Sequence, residues 1–100
     1  MEVSLQGDSL DLSVVIPCLN EGPNLYRLLP ALREALDALG AAWEVIAVDG
    51  ASKDGTDKIV EKAGMRYVCE TARGYGAAVV RGMAEARGRY VLTMDADMSH

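Results

Sequence analysis

One hundred residues, half of them apolar, can build one small core but not an elaborate two-substrate enzyme, so at most one domain is expected. Fifteen acidic against ten basic side chains leave a net charge of −5, which argues against nucleic-acid binding, where a basic stripe is usual. No apolar run approaches the roughly twenty residues of a membrane-spanning helix, and two distant cysteines, Cys18 and Cys69, read as reduced thiols in a cytoplasmic setting.

In chain order, residues 1–11 form a polar lead-in around Gly7. Leu12-Ser13-Val14-Val15-Ile16 predicts a strand covered on both faces, ended by Pro17. The loop Cys18-Leu19-Asn20-Glu21-Gly22 leads into a helix with Pro23 in its first turn; Leu25, Leu28, Leu29, Leu32, Leu36 and Leu39 recur at helical spacing as its sheet-facing stripe. Pro30 predicts a kink or break between about Leu28 and Ala31, and Gly40 closes the helix. Trp43 to Val48 predicts a second strand, ending in the carboxylate of Asp49. Ser52, Asp54 and Thr56 then offer caps for a short helix over residues 54–63. Met65 to Cys69 predicts a third strand, and Gly74-Tyr75-Gly76 opens a third helix. Its stripe of Ala77, Val80, Met83, Ala84 and the Arg87 stem is expected against the sheet, with Gly88 as the stop. Tyr90-Val91-Leu92-Thr93-Met94 predicts a buried fourth strand that runs into Asp95-Ala96-Asp97.

Four alternations of strand and helix with short links call for an α/β fold: a mostly parallel sheet, right-handed crossovers and helices on both faces. With the first strand central and the second and fourth beside it, the loops 17–21, 49–54 and 95–100 converge on one crevice at the sheet's carboxyl edge, where such folds bind nucleotides. Asp95 and Asp97, two apart in an extended segment, point the same way across Ala96. Their repulsion is relieved by a hard divalent cation that also takes phosphate oxygens, so Mg²⁺ or Mn²⁺ is expected. Gly74-Tyr75-Gly76 lacks the third glycine of a dinucleotide fingerprint, and no Gly-Lys-Ser/Thr phosphate loop is present.

In order and spacing, Val14-Val15-Ile16-Pro17-Cys18-Leu19-Asn20-Glu21, Glu44 to Thr56, Gly74-Tyr75-Gly76-Ala77-Ala78, Ala86 to Val91 and Met94 to His100 resemble the family 2 glycosyltransferases of the GT-A fold. The likeness covers residues 12–100, and within the family it looks most like the polyprenyl-phosphate sugar synthases of the dolichol-phosphate mannose synthase type. The resemblance implies a Rossmann-like nucleotide-binding half, a UDP- or GDP-sugar donor and a metal on the diphosphate. It also implies a polyprenyl phosphate acceptor reached through a downstream part, at the cytoplasmic face of a membrane. Carried over, Pro17, Leu19 and Glu21 border the nucleoside, Asp49 hydrogen-bonds the base, Asp95 and Ala96 lie on the ribose side, and Asp97, with Asp95, holds the metal. The chain departs from the family at Leu19, Gly50 and Tyr75, where Tyr, a second Asp and Lys are common, and at Ser99, where Gln often stands.

Each candidate also has a plainer role. Glu21 and Asp54 suit helix N-termini; Arg73 and Arg81, candidates to approach phosphates, equally suit a solvated surface; and both cysteines suit small buried sites. None of the loops offers a carboxylate for the general base, which is expected beyond residue 100. A non-catalytic nucleotide-binding or interaction module with the same fold is the alternative.

Overall fold

The computed structural model describes residues 10–19 and 21–96. Strands β1 (Leu10–Cys18), β2 (Trp43–Asp49), β3 (Arg66–Cys69) and β4 (Gly88–Thr93) alternate with helices α1 (Gly22–Leu39), α2 (Thr56–Lys62) and α3 (Tyr75–Glu85). All strands are parallel in the order β3-β2-β1-β4, so β1 and β2 are interior. β1 aligns Leu12 with Trp43 and, on its other side, with Tyr90.

Side-chain alternation along β1 divides the core in two. Val14 and Ile16 pack with Leu25, Leu28, Leu29 and Leu36 of α1 and Val60 of α2, whereas Val15, Ile46, Val48 and Val68 form a second cluster on the face that α3 covers. Helices therefore lie on both faces, as expected for a parallel sheet.

Several sequence expectations change. β1 continues through Pro17, which aligns with Val48, instead of ending there. The Val15 carbonyl accepts Met94 N–H at 3.0 Å, so β1 turns this side of residues 15 and 17 toward β4. The β4 register stops at Thr93, so the missing proline donor falls where no ladder partner remains. α1 is unbroken across Pro30. Leu25, Leu28, Leu29 and Leu36 anchor both halves to the sheet, while Pro30 and Tyr26, whose carbonyl it would have bonded, are exposed.

The α3 stripe is also different. Val80, Met83 and Ala84 face solvent, and the residues turned to the sheet are Ala78, Gly82 and Ala86, four apart. A Cβ on Gly82 would lie 2.2 Å from Val15 Cγ1, so the helix sits closer than any larger residue permits. Nor is β4 buried: Tyr90, Val91 and Leu92 are 66%, 39% and 51% exposed. It pairs with β1 alone and forms an edge of the sheet.

Candidate nucleotide cleft

The carboxyl ends of β1, β2 and β4 open into a cleft of about 660 Å³. Pro17, Cys18, Leu19 and Glu21 form one wall, Gly50 contributes from the β2 loop, and Asp95 with Ala96 closes the end after β4. The opposite wall is the segment from Glu70 to Tyr75. From the sequence that segment reads as a loop and the start of a helix, with Arg73 as its one candidate to approach a phosphate; Arg73 lines the cleft. The segment's signal was the pair of glycines around Tyr75, which let backbone approach a ligand closely.

Five of the residues singled out from sequence, Pro17, Leu19, Glu21, Asp95 and Ala96, are brought together here. Leu19 is exposed, an apolar side chain offered to whatever enters. Glu21 Oε1 accepts from Asn24 Nδ2 at 2.7 Å, which fixes the carboxylate at the start of α1. Ala96 is buried among the α1-side core residues, which tethers the chain just after Asp95. Asp95 is exposed at the cleft rim, where the Tyr75 hydroxyl donates to its Oδ1 at 3.4 Å. Asp97, the residue expected to hold the metal with Asp95, lies outside the described residues, as do Asn20 and His100. Among the described residues no three His, Cys, Asp or Glu side chains cluster as a metal site.

Asp49, expected to hydrogen-bond the base, is buried directly behind Gly50 and is not itself among the residues lining the cleft. Only 1% exposed, its carboxylate accepts from Ser52 N–H at 2.9 Å, from the Ser52 hydroxyl and from the Tyr67 hydroxyl at 2.6 Å. These bonds hold the β2 loop, including Gly50, against β3, and the Asp49 carbonyl adds a bond from Glu70 N–H at 2.8 Å. A buried carboxylate must be satisfied in this way, and three donors on its two oxygens do so here. The Tyr67 hydroxyl is correspondingly held far above its ordinary range, by burial first and by the carboxylate it faces second.

Asp54 also has a structural position. Its Oδ2 accepts Gly22 N–H at 3.0 Å, while Oδ1 takes Thr56 N–H at 3.2 Å and the Thr56 hydroxyl. One carboxylate thus ties the first turn of α1 to the start of α2 and steadies the cleft wall above them. The Thr56 hydroxyl, with the Gly22 and Thr56 N–H groups, lowers its pKa. Glu70 braces the opposite wall, accepting Ala72 N–H at 2.9 Å and Arg81 Nη1 at 3.4 Å, and its pKa is likewise depressed, first by the Ala72 bond. Arg81 is therefore paired, with Glu70 and with Glu85 at 3.2 Å.

Cys18, at the cleft wall, is half-buried; burial, then the charges of Asp49, Glu21 and Asp54, push its thiol up to about 12. Burial and the surrounding carboxylates thus disfavour its thiolate, the form that reacts. Cys69, expected to be buried, is exposed at the end of β3.

The sequence pattern described as "Glycosyl transferase family 2" matches residues 13–100. The chain belongs to glycosyl transferase family 2. Among its curated relatives in that family, an undecaprenyl-phosphate 4-deoxy-4-formamido-L-arabinose transferase of Pseudomonas paraeruginosa is 36% identical over 96 residues, covering 89% of this chain and 28% of the relative. The protein of the same name from Salmonella paratyphi B is 32% identical, with 89% of this chain and 29% of the relative covered. The chain therefore spans less than a third of the relatives it matches.

Among solved structures, mannosyl-3-phosphoglycerate synthase from Rubrobacter xylanophilus superposes with a TM-score of 0.80 at 25% identity, over 88% of this chain and 31% of that one. Glucosyl-3-phosphoglycerate synthase from Mycobacterium tuberculosis, crystallised with Mn²⁺, UDP and glucosyl-3-phosphoglycerate, gives 0.74 at 27% identity, over 88% and 34%. The four-stranded parallel sheet with helices on both faces is thus the Rossmann-like half of a GT-A fold.

Proposed function

We propose that the cleft binds the nucleoside diphosphate of a UDP- or GDP-sugar, and that the chain is the donor-binding half of a glycosyltransferase acting on a polyprenyl phosphate. The observation that carries this reading is the convergence of Pro17, Leu19, Glu21, Asp95 and Ala96 with the segment from Glu70 to Tyr75 on one cleft at the carboxyl edge of a family 2 sheet. Leu19 and Pro17 supply the apolar wall for the base, and Asp95 meets the ribose side. Asp95 and Asp97 offer the hard oxygen donors that suit Mg²⁺ or Mn²⁺, an ion that would offset the charge of the leaving diphosphate. Asp49 serves the base indirectly, by holding the Gly50 loop in place.

The relatives support the acceptor class of this reading, since those proteins are named undecaprenyl-phosphate transferases. The general base falls beyond residue 100 on this reading. Glu21 and Glu70, the other carboxylates at the cleft, are committed to Asn24 and to Ala72 with Arg81.

Calorimetry with UDP and GDP, with and without Mn²⁺, is the test. Metal-dependent binding that Asp97→Asn largely removes is the expected result, because an amide supplies an oxygen without the charge that offsets the cation. Equal affinity after chelation overturns the metal role, and no binding of either nucleotide overturns the reading as a whole.

A further inference from the structure

Between α1 and α2 lies a second concavity of about 540 Å³, lined by Leu25, Tyr26, Leu29, Pro30, Lys58, Ile59, Lys62 and Ala63. We propose that this groove binds an anionic lipid at a membrane surface, with an acyl or prenyl segment on its apolar floor and the lipid phosphate on Lys58 and Lys62.

Three observations carry the proposal. The floor is apolar: Leu25 and Leu29 are buried beneath it, and Ile59 and Ala63 are half-buried in its wall. A volume in the range of small-molecule sites, about 300–1,000 Å³, gives room for part of one lipid chain. Secondly, Lys58 and Lys62 stand one helical turn apart on the same wall, both exposed, and neither forms an ion pair among the described residues. No acidic residue lines the groove, although the whole chain carries a net charge of −5; Asp57 and Glu61 lie on neighbouring stripes of α2. Long lysine stems lie along apolar surface while their ammonium groups reach toward phosphate, which fits a site apolar inside and positive at its mouth. Finally, Tyr26 is 72% exposed beside this mouth, an amphipathic ring of the kind favoured where hydrocarbon meets water.

Charge and shape therefore match a phosphate-headed amphiphile better than a nucleotide, whose polar sugar would find no acceptor on this floor. No helix among the described residues is long and apolar enough to cross a membrane. The proposal deepens the functional reading, which already calls for a lipid-phosphate acceptor, but it can fail independently of the nucleotide cleft.

Sedimentation of this chain with vesicles of phosphatidylcholine, alone or mixed with phosphatidylglycerol, is the test. Binding only to the mixed vesicles is expected, with a loss of roughly ten-fold or more for Lys58→Glu combined with Lys62→Glu, and weaker binding for Tyr26→Ser. Lys53→Glu, an exposed lysine outside the groove, should change binding far less. Equal binding to both vesicle types, an equal loss from Lys53→Glu, or binding of an acidic amphipathic peptide without binding to lipid would each overturn the proposal. Calorimetry with UDP and Mn²⁺ on the same variants separates the two sites: retained nucleotide binding with lost vesicle binding assigns the groove to lipid. Vesicle binding without any nucleotide binding sinks the reading of the cleft and leaves the groove standing.

Discussion

β1 and β4 are neighbours in the same sheet, similar in composition, and opposite in fate. Val14, Val15 and Ile16 of β1 are fully buried, whereas Tyr90, Val91 and Leu92 of β4 stand exposed in an aligned parallel register. β1 has a strand on each side, α1 over one face and α3 over the other; β4 has one strand neighbour, and none of its residues joins either buried cluster. An apolar run of five residues therefore encodes a strand but not its depth, since burial depends on how many elements close around it. The difference matters for the site, because Asp95 follows the exposed strand while Pro17 and Leu19 follow the buried one. Ala96 is the residue that returns the exposed side to the core.

Substitutions on the two strands sharpen this contrast. Ile16→Ala should cost about 2–5 kcal/mol, because the removed atoms leave a cavity between the sheet and α1. Leu92→Ala should cost less than about 0.5 kcal/mol. Urea unfolding of both variants measures the pair; a large cost at Leu92 would mean that β4 is covered in solution by something other than this chain.

A second pair probes the helix that packs on β1. Gly82→Ala should destabilise by about 1–3 kcal/mol, since its new methyl falls on Val15 and either the helix or the strand must move. Gly76→Ala, in the same helix with open space around it, should be stabilising by up to about 1 kcal/mol through helix propensity. If both substitutions have the same sign, α3 does not sit on the sheet at Gly82.

The free edge of β4 is itself testable. An exposed apolar strand edge templates pairing with another chain, so concentration-dependent association is expected in sedimentation velocity, and Val91→Lys should reduce it. A chain that stays monomeric at all concentrations would break the comparison from the other side.

The smallest expected effects concern acid and thiol chemistry at the cleft walls. Asp54 and Glu70 have depressed native pKa values. The stability they add is therefore present above their ordinary values of 3.8 and 4.5 and fades as the pH falls below these toward the native ones. Asp54→Asn should be less stable near neutrality and flatten the acid side of the stability profile; an unchanged slope would dissociate Asp54 from the α1 terminus. With a thiol reagent near pH 8, Cys69 should react first and Cys18 far more slowly, because its thiol is held protonated.

The alternation of strands and helices, their parallel order, the position of β1 at the centre and the meeting of three loops were all legible in the sequence. Each follows from local period and from the short links that force right-handed crossovers. The family was legible as well, through motifs whose order and spacing survive substitution at Leu19, Gly50 and Tyr75. Only the tertiary structure decided which groups are spent on the scaffold. Asp49 ends an apolar strand, and only folding brings Tyr67 from the adjacent strand and Ser52 from the loop to donate to its carboxylate. Asp54 looked like a cap for its own helix; one oxygen does bond Thr56 at the start of α2, and the other takes the Gly22 N–H of α1. The small stripe of Ala78, Gly82 and Ala86 outweighed the larger residues of α3, because close approach to Val15 admits no side chain. In each case the deciding partner lies in another element, and a one-dimensional pattern records a residue's own period and charge but not the donor or the methyl group that folding brings against it.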